Sequence, residues 1–315
     1  MTLNVFVSVI MPVYNGVAYL NETIESILNQ TYENFEFVIV DDCSTDDSYQ
    51  LLKSWADKDN RIKLFKSPSN FGNPGGSGAF AMTHISNDSK YILPIDQDDI
   101  AVTHRLEKSI LFMEENKNVD ICGGWQKMFG TKDRIVKKPE KNNEIKAQML
   151  TTCPISHSTT IFRKKFFDIS SLNYQDGTAH DYMLWSQAMI EGNATFHNLQ
   201  EILLHYRMHE NQVSHQNTKW DNLIKAVRSY QLKELGFTSK EELDFHNYWK
   251  DRKMKLSSKE IRKLKAHFKQ IIKLNETDKI YPPNELKEHL TAQYRKTLLK
   301  SKKFLSALLF SCSLK

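Results

Sequence analysis

The chain has 315 residues, 40% of them hydrophobic and 26% charged, which suits one large domain with an appendage, or two domains, built around real cores. Four scattered cysteines, Cys43, Cys122, Cys153 and Cys312, form no Cys-x-x-Cys pair; this argues against a zinc ribbon or a disulfide framework and makes a reducing cytoplasm the simplest setting. The net charge of +5 is uneven: residues 1–218 hold 20 Lys+Arg against 27 Asp+Glu, and residues 219–315 hold 23 against 11, so the two regions suit different partners.

The apolar run Val5–Val13 has no basic lead and contains Pro12, so it reads as a buried strand over Val5–Met11 rather than a signal peptide. Asn21 is placed to cap a helix through Ile24, Ile27 and Leu28. Phe35–Val40 is the second strand, ending at Asp41-Asp42. Asp46 or Asp47 opens a helix carrying Leu51, Leu52 and Trp55, and Ile62–Phe65 is a third strand. Gly, Pro, Asn and Ser dominate Ser67–Gly78, which is expected to be a loop before a short helix. The strand Tyr91–Ile95, the helix Arg105–Glu115 and the strand Asp120–Trp125 follow. Strands separated by such helices imply βαβ units, a mainly parallel sheet and ligands at the carboxyl ends of the strands. Asp41, Asp42 and Asp96 to Asp99 lie at such ends. A helix over Asp181–Ile190 and a strand over Ile202–Tyr206 complete this region.

Beyond residue 217 the spacing is helical. Asn217–Leu235, Ser257–Leu274 and Asn284–Leu308 carry apolar residues at helical intervals among many lysines, with Pro282-Pro283 between the last two. A boundary is expected near 215, dividing 1–215 from a basic helical region 216–315. No run of about eighteen apolar residues is present to span a bilayer.

Asp96, Asp98 and Asp99 crowd three carboxylates into four residues. A divalent cation such as magnesium or manganese would relieve their repulsion; a solvated turn capping the next helix would do so too. Gly76-Ser77-Gly78-Ala79-Phe80-Ala81 matches the dinucleotide pattern Gly-x-Gly-x-x-Ala. It follows a polar loop and the third strand rather than the first, which argues against a dehydrogenase.

Several blocks occur in a specific order. They are Val7-Ser8-Val9-Ile10-Met11-Pro12-Val13-Tyr14-Asn15, Ser26-Ile27-Leu28-Asn29-Gln30-Thr31-Tyr32, Phe35 through Asp46, Asp96–Asp99, His180-Asp181-Tyr182-Met183-Leu184-Trp185 and Tyr206-Arg207-Met208-His209. From Val7 to Ser214 the chain resembles the family 2 inverting glycosyltransferases of bacterial surface-polysaccharide type. The resemblance implies the α/β, GT-A type, Rossmann-like sheet flanked by helices, here with a C-terminal helical extension. It implies a UDP-sugar donor, a divalent metal and a glycan acceptor, lipid-linked in lipopolysaccharide or capsule synthesis. Pro12, Tyr14 and Asn15 would line the nucleotide site, with the Tyr14 ring stacking on the base. Asp42 would accept the uracil imide N–H, and Asp98 would contact ribose. Asp99 would be the main metal ligand, with Asp96 in support and Asp98 and His209 as further ligands. Asp181 would be the catalytic base, although an Asp there also suits a helix cap. Relatives often carry an acidic residue where this chain has His180, and an Arg after the Gly-rich segment is missing. His157, His180 and Arg207 are candidates for the acceptor or the diphosphate.

The end of the chain speaks to location. Arg295, Lys296, Lys300, Lys302 and Lys303 precede Phe304–Phe310, a pattern suited to a helix lying on an anionic membrane, here the inner face of the plasma membrane, or to a helix packed on the catalytic domain. No nucleic-acid module is recognised. Two other functions remain on the sequence alone: a silent nucleotide-sugar binding or scaffold protein, and a nucleotidyltransferase. The second would open with a phosphate loop rich in Gly, Arg and Lys, where this chain has Pro12-Val13-Tyr14-Asn15-Gly16.

Overall fold

The computed structural model describes residues 4–170, 172–174, 179–210, 212, 217–251 and 255–301. The chain forms two compact units: residues up to Lys141 with Pro154–Ile224, and Asn142–Cys153 with residues from Lys225 onward.

In the first unit, β1 (Val7–Val13), β2 (Phe35–Asp41) and β3 (Ile62–Lys66) are parallel, with α1 (Leu20–Leu28) and α2 (Ser48–Ala56) between them. β1 and β2 are buried almost throughout, as expected for parallel strands covered on both faces. On α1, Leu20, Ile24 and Ile27 recur at helical spacing and have no exposed surface. Each such side chain contributes about 1.5–3 kcal/mol by leaving water. Asn21 is not the cap: it lies inside α1, and its Oδ1 accepts from Trp55 Nε1 at 2.9 Å. Asp46 does serve the start of α2, accepting from Ser48 N at 3.0 Å.

The segment expected to be a loop through Gly78 becomes helical earlier, as α3 (Pro74–Met82). Asn73 Oδ1 accepts from Gly75 N at 3.0 Å and Gly76 N at 3.2 Å, and Pro74 occupies the first turn. The glycines serve packing: a Cβ on Gly76 would lie 2.7 Å from Phe71 Cβ. Next come β4 (Tyr91–Pro94), parallel to β1, the short β5 (Ile100–Ala101) and α4 (Arg105–Glu115).

β6 (Ile121–Gly130), β7 (Arg134–Val136), β8 (Ile161–Arg163) and β9 (Phe196–Met208) extend the sheet, interleaved with α5 (Asn142–Met149), α6 (Lys164–Ser170) and α7 (His180–Ile190). Among the described residues the strand order is β3-β2-β1-β4-β8-β6-β9-β5, with β7 on β6. β6 and β9 are parallel, whereas β8 is antiparallel to both β4 and β6, and β5 antiparallel to β9. The β5–β9 pairing draws the end of β9 to the residues that follow β4.

The second unit is helical: α8 (Asn217–Glu234), which begins just before the boundary, α9 (Lys240–Asp251), α10 (Ser258–Asp278) and α11 (Pro283–Lys300). α9 falls in a stretch that the sequence reading left unassigned. α10 starts where expected: Ser257 and Glu260 form a reciprocal capping box. α5, placed by sequence in the first region, belongs with these helices; Thr151 Oγ1 lies 2.8 Å from His289 Nε2, and Asn143 Nδ2 donates to Glu285 Oε1 at 3.0 Å. Among the described residues no helix is long and apolar enough to cross a membrane. Residues 302–310, expected to form the interfacial end of the last helix, lie outside the described residues.

Candidate active site

The acidic turn follows β4 directly, with Asp99 N donating to Asp96 O at 3.3 Å. Its three carboxylates have different surroundings. Asp96 is the most open, with 38% of its side chain exposed. Its Oδ2 accepts from the Ser158 hydroxyl at 2.7 Å, and its Oδ1 lies 3.4 Å from His157 Nδ1. Burial opposes its ionisation, but His157 and Ser158 prevail and hold its carboxyl down at about 2. Asp98 Oδ2 lies 2.8 Å from His209 Nε2, with both side chains partly exposed. Burial and the charge on Asp96 push Asp98 above the usual carboxylate range, against the opposing His209.

Asp99 differs from both. It has no exposed surface, its Oδ1 accepts from Arg207 N at 3.0 Å, and its Oδ2 has no hydrogen-bond partner. Burial, followed by the charges of Asp96 and Asp98, raises it well above the ordinary value. Asp99 thus keeps one buried carboxylate oxygen without a protein partner, whereas Asp98 and His209 are a pair with surface exposed. Among the described residues no three His, Cys, Asp or Glu side chains converge as a ready-made metal cage. Two protein ligands completed by diphosphate oxygens fit a hard divalent cation, and the crowding of carboxyl groups supplies the electrostatic demand.

Arg207 is committed to the protein rather than open to a diphosphate. Nε donates to Asp98 O at 2.9 Å and Nη2 to Glu22 Oε2 at 3.0 Å, while the guanidinium lies over the Tyr19 and Phe129 rings. It fixes the backbone of the turn. The His209 ring lies against Tyr19, with centroids 4.7 Å apart.

Sequence reasoning missed three supporting groups. Arg105, fully buried in the first turn of α4, donates through Nη2 to Pro94 O at 2.7 Å. Burial lowers its guanidinium to about 10, while the charges of Asp99 and Asp96 oppose the drop. A cation at a helix N-terminus runs against the helix dipole, and that was the available signal. Gln97 accepts from Tyr14 N at 2.8 Å and donates to Tyr14 O at 3.1 Å, joining the turn to the end of β1. A Cβ on Gly16 would stand 2.6 Å from the Gln97 amide oxygen, so a larger residue there would displace this amide from Tyr14. Tyr174 is the third: its hydroxyl lies 3.0 Å from His157 Nε2.

At the nucleotide end, Pro12 lies in β1 and the Tyr14 side chain is 46% exposed. Asn15 is used internally: Oδ1 accepts from Thr45 N at 2.8 Å, and its own N donates to Ser44 Oγ at 3.0 Å. Asp42 is buried; its Oδ1 accepts from the Ser67 hydroxyl at 2.9 Å and from Phe71 N at 3.1 Å. Asp41 Oδ1 is buried without a partner.

Asp181 lies in the first turn of α7 rather than at its cap: Ala179 is the N-cap residue, two positions earlier. Its Oδ1 accepts from Tyr182 N at 2.7 Å. Burial, then the charges of Asp96 and Asp181, lift the Tyr174 hydroxyl well above its ordinary value. His180 is lowered by burial and by His157, against the pull of Asp181 and Asp96. The His157 and His180 rings are 5.1 Å apart, edge to face. Asp96 and Asp181 thus act on the same two side chains, across one cluster of His157, Tyr174 and His180.

A family model for glycosyl transferase family 2 matches residues 8–170. An uncharacterized glycosyltransferase of Haemophilus influenzae is 32% identical over 256 residues, spanning 74% of this chain and 76% of its own. The O-antigen biosynthesis glycosyltransferase WbnJ of Escherichia coli is 30% identical over 213 residues, 64% of this chain and 80% of its own. Among solved structures, S. aureus TarS in complex with UDP-GlcNAc matches with a TM-score of 0.64 at 19% identity, over 96% of this chain and 92% of that one. The Pyrobaculum calidifontis mannosyltransferase PcManGT, in complex with GDP-Man and Mn2+, gives 0.55 at 14% identity, over 99% and 77%. At these identities the likeness is one of fold: a GT-A α/β sheet flanked by helices, with further C-terminal helices.

Proposed function

The chain belongs to glycosyl transferase family 2, and on that premise we propose that it moves a sugar from a UDP-sugar to a hydroxyl of a glycan acceptor, inverting the anomeric configuration. The observation that carries this reading is the pairing of Asp98 with His209 in the turn after β4, with the charges of Asp96 and Asp181 both acting on Tyr174. Tyr14 offers its exposed ring to the base and Asp42 its carboxylate to the uracil imide. Asp96 and Asp98 face the ribose and diphosphate side. Asp98 and His209 would hold a magnesium or manganese ion, which when bound supplies positive charge to the departing diphosphate. Asp181 accepts the proton of the acceptor hydroxyl as its oxygen attacks, and one displacement gives inversion.

The UDP complexes of TarS and the Mn2+ complex of PcManGT support the donor class and the metal. WbnJ supports a surface-glycan acceptor, and the basic C-terminal region supports a lipid-linked one at an anionic membrane. The test is donor hydrolysis across a panel of UDP- and GDP-sugars, with manganese, with magnesium or with EDTA. Release of UDP from at least one donor, lost in EDTA, is expected. Turnover confined to GDP-sugars would overturn the donor, and full turnover in EDTA would overturn the metal.

A further inference from the structure

The second unit gathers positive charge at one place. On α8, Arg228 is 6% exposed; its Nη1 pairs with Asp251, and its Nε is buried without a hydrogen-bond partner. Lys225 Nζ lies 3.9 Å from the other oxygen of Asp251, so this single carboxylate already serves two cations. Trp249 Nε1 donates to Thr297 Oγ1 at 3.2 Å and ties the end of α9 to the last turns of α11. The next residue, Lys250, carries the cost of burial together with the charges of Arg228, Lys296 and Lys300, with Asp251 in opposition. Lys296 and Lys300 are exposed; Lys250 is half-buried and Arg228 is almost wholly enclosed.

A solvated lysine face accounts for the exposed pair. It does not account for a half-buried ammonium beside a buried guanidinium whose carboxylate partner, Asp251, is already shared with Lys225, since withdrawing charge from water is costly unless enough opposite charge is at hand. A multivalent oxyanion meets that demand, and lysine is a common phosphate binder.

We propose that this junction of α8, α9 and α11 is a binding site for a phosphoryl anion, a phosphate or diphosphate group. Lys250, Lys296 and Lys300 contact its oxygens, and Arg228 is the fixed charge behind them. Leu299, 49% exposed in the same final turn, gives the site an apolar edge suited to a phosphate borne on a lipid. Sugar transfer plays no part in this binding, so it holds whether or not any donor turns over.

The test is acetylation of the full-length chain at pH 8 in EDTA, read lysine by lysine by mass spectrometry. Burial, followed by Arg228, Lys296 and Lys300, pushes the Lys250 ammonium down to about 8, which leaves a large neutral fraction to react. Sodium pyrophosphate is expected to slow Lys250 acetylation by at least about fivefold, and the double variant Lys296→Gln/Lys300→Gln to weaken that protection about tenfold. Protection by phosphatidylglycerol vesicles at low lipid concentration, but not by phosphatidylcholine, assigns the anion to a lipid headgroup; protection by pyrophosphate alone assigns it to a diphosphate. Calorimetric titration of pyrophosphate into wild type and the double variant gives a second reading should Lys250 acetylate too slowly. An unchanged Lys250 rate with both pyrophosphate and phosphatidylglycerol, or equal affinity in the two proteins, overturns the site.

Discussion

The acidic turn of the first unit and the lysine junction of the second crowd like charges, with opposite sign. In the turn, burial and then the charge of Asp96 raise Asp98 and Asp99 above the usual carboxylate range. In the junction, Arg228, Lys296 and Lys300 help lower Lys250. Either crowd carries a free-energy cost that an ion of opposite sign would remove. Crowded like charge at the end of one element is thus informative about ligands only when part of it is also buried.

Four changes would break or sharpen this contrast. The largest effect is expected from Asp181→Asn, which removes the proposed base. Transfer should fall by about two to four orders of magnitude, while UDP affinity by calorimetry changes little. Transfer near the wild-type rate would put the base elsewhere. Next come Asp98→Asn and His209→Ala, each expected to raise the metal concentration for half-maximal hydrolysis at least about tenfold. A metal titration identical to wild type would remove that pair from the metal site.

The third change acts on stability. In the helical unit, His246 Nδ1 lies 3.1 Å from His267 Nε2, and both residues are buried. Burial, with Lys263 adding to it, lowers His267 to about 4 from the 6.5 of the unfolded chain, and burial together with His267 and Arg228 lowers His246. Below 6.5 the unfolded chain binds protons that the folded one refuses. The stability held above that pH is then lost as pH falls toward 4. Between pH 7 and pH 5 the helical unit should lose about 2 kcal/mol. Thermal unfolding at both values measures this, and equal midpoints for wild type and His267→Phe at pH 5, relative to pH 7, would refute it. The smallest effect is expected from Asp99→Asn. The amide still accepts from Arg207 N, so hydrolysis should stay within about threefold of wild type and stability within about 1 kcal/mol. A loss as large as that of Asp98→Asn would return the metal to Asp99.

The parallel half of the sheet was legible because each strand is a short apolar run closed by turn residues and followed by a 3.6-residue period. The antiparallel insertion of β8 between β4 and β6 was not, since its partners lie far away in sequence. The Gly-rich content of α3 masked a real start signal, Asn73-Pro74. On α9 the polar opening Lys240-Glu241-Glu242 hid Leu243, His246 and Trp249, whose burial makes the element. Within the site, chemistry was legible and access was not. Asp98 and Asp99 are adjacent and identical, and only the pairing of β5 with β9 brings Arg207 to one and His209 to the other.

α5 leaves the first unit's sequence at Asn142 and returns to it at Pro154, so the helical unit is assembled from two separate stretches of chain. Its buried Ile145, Ala147, Met149 and Leu150, together with Thr151 facing His289, depend on helices that come about a hundred residues later. A stop codon or a protease cut near residue 225 therefore does not release a self-sufficient catalytic piece. It strands the buried apolar face of α5 in water between β7 and β8, and the shortened protein should aggregate or be degraded rather than persist as a smaller enzyme.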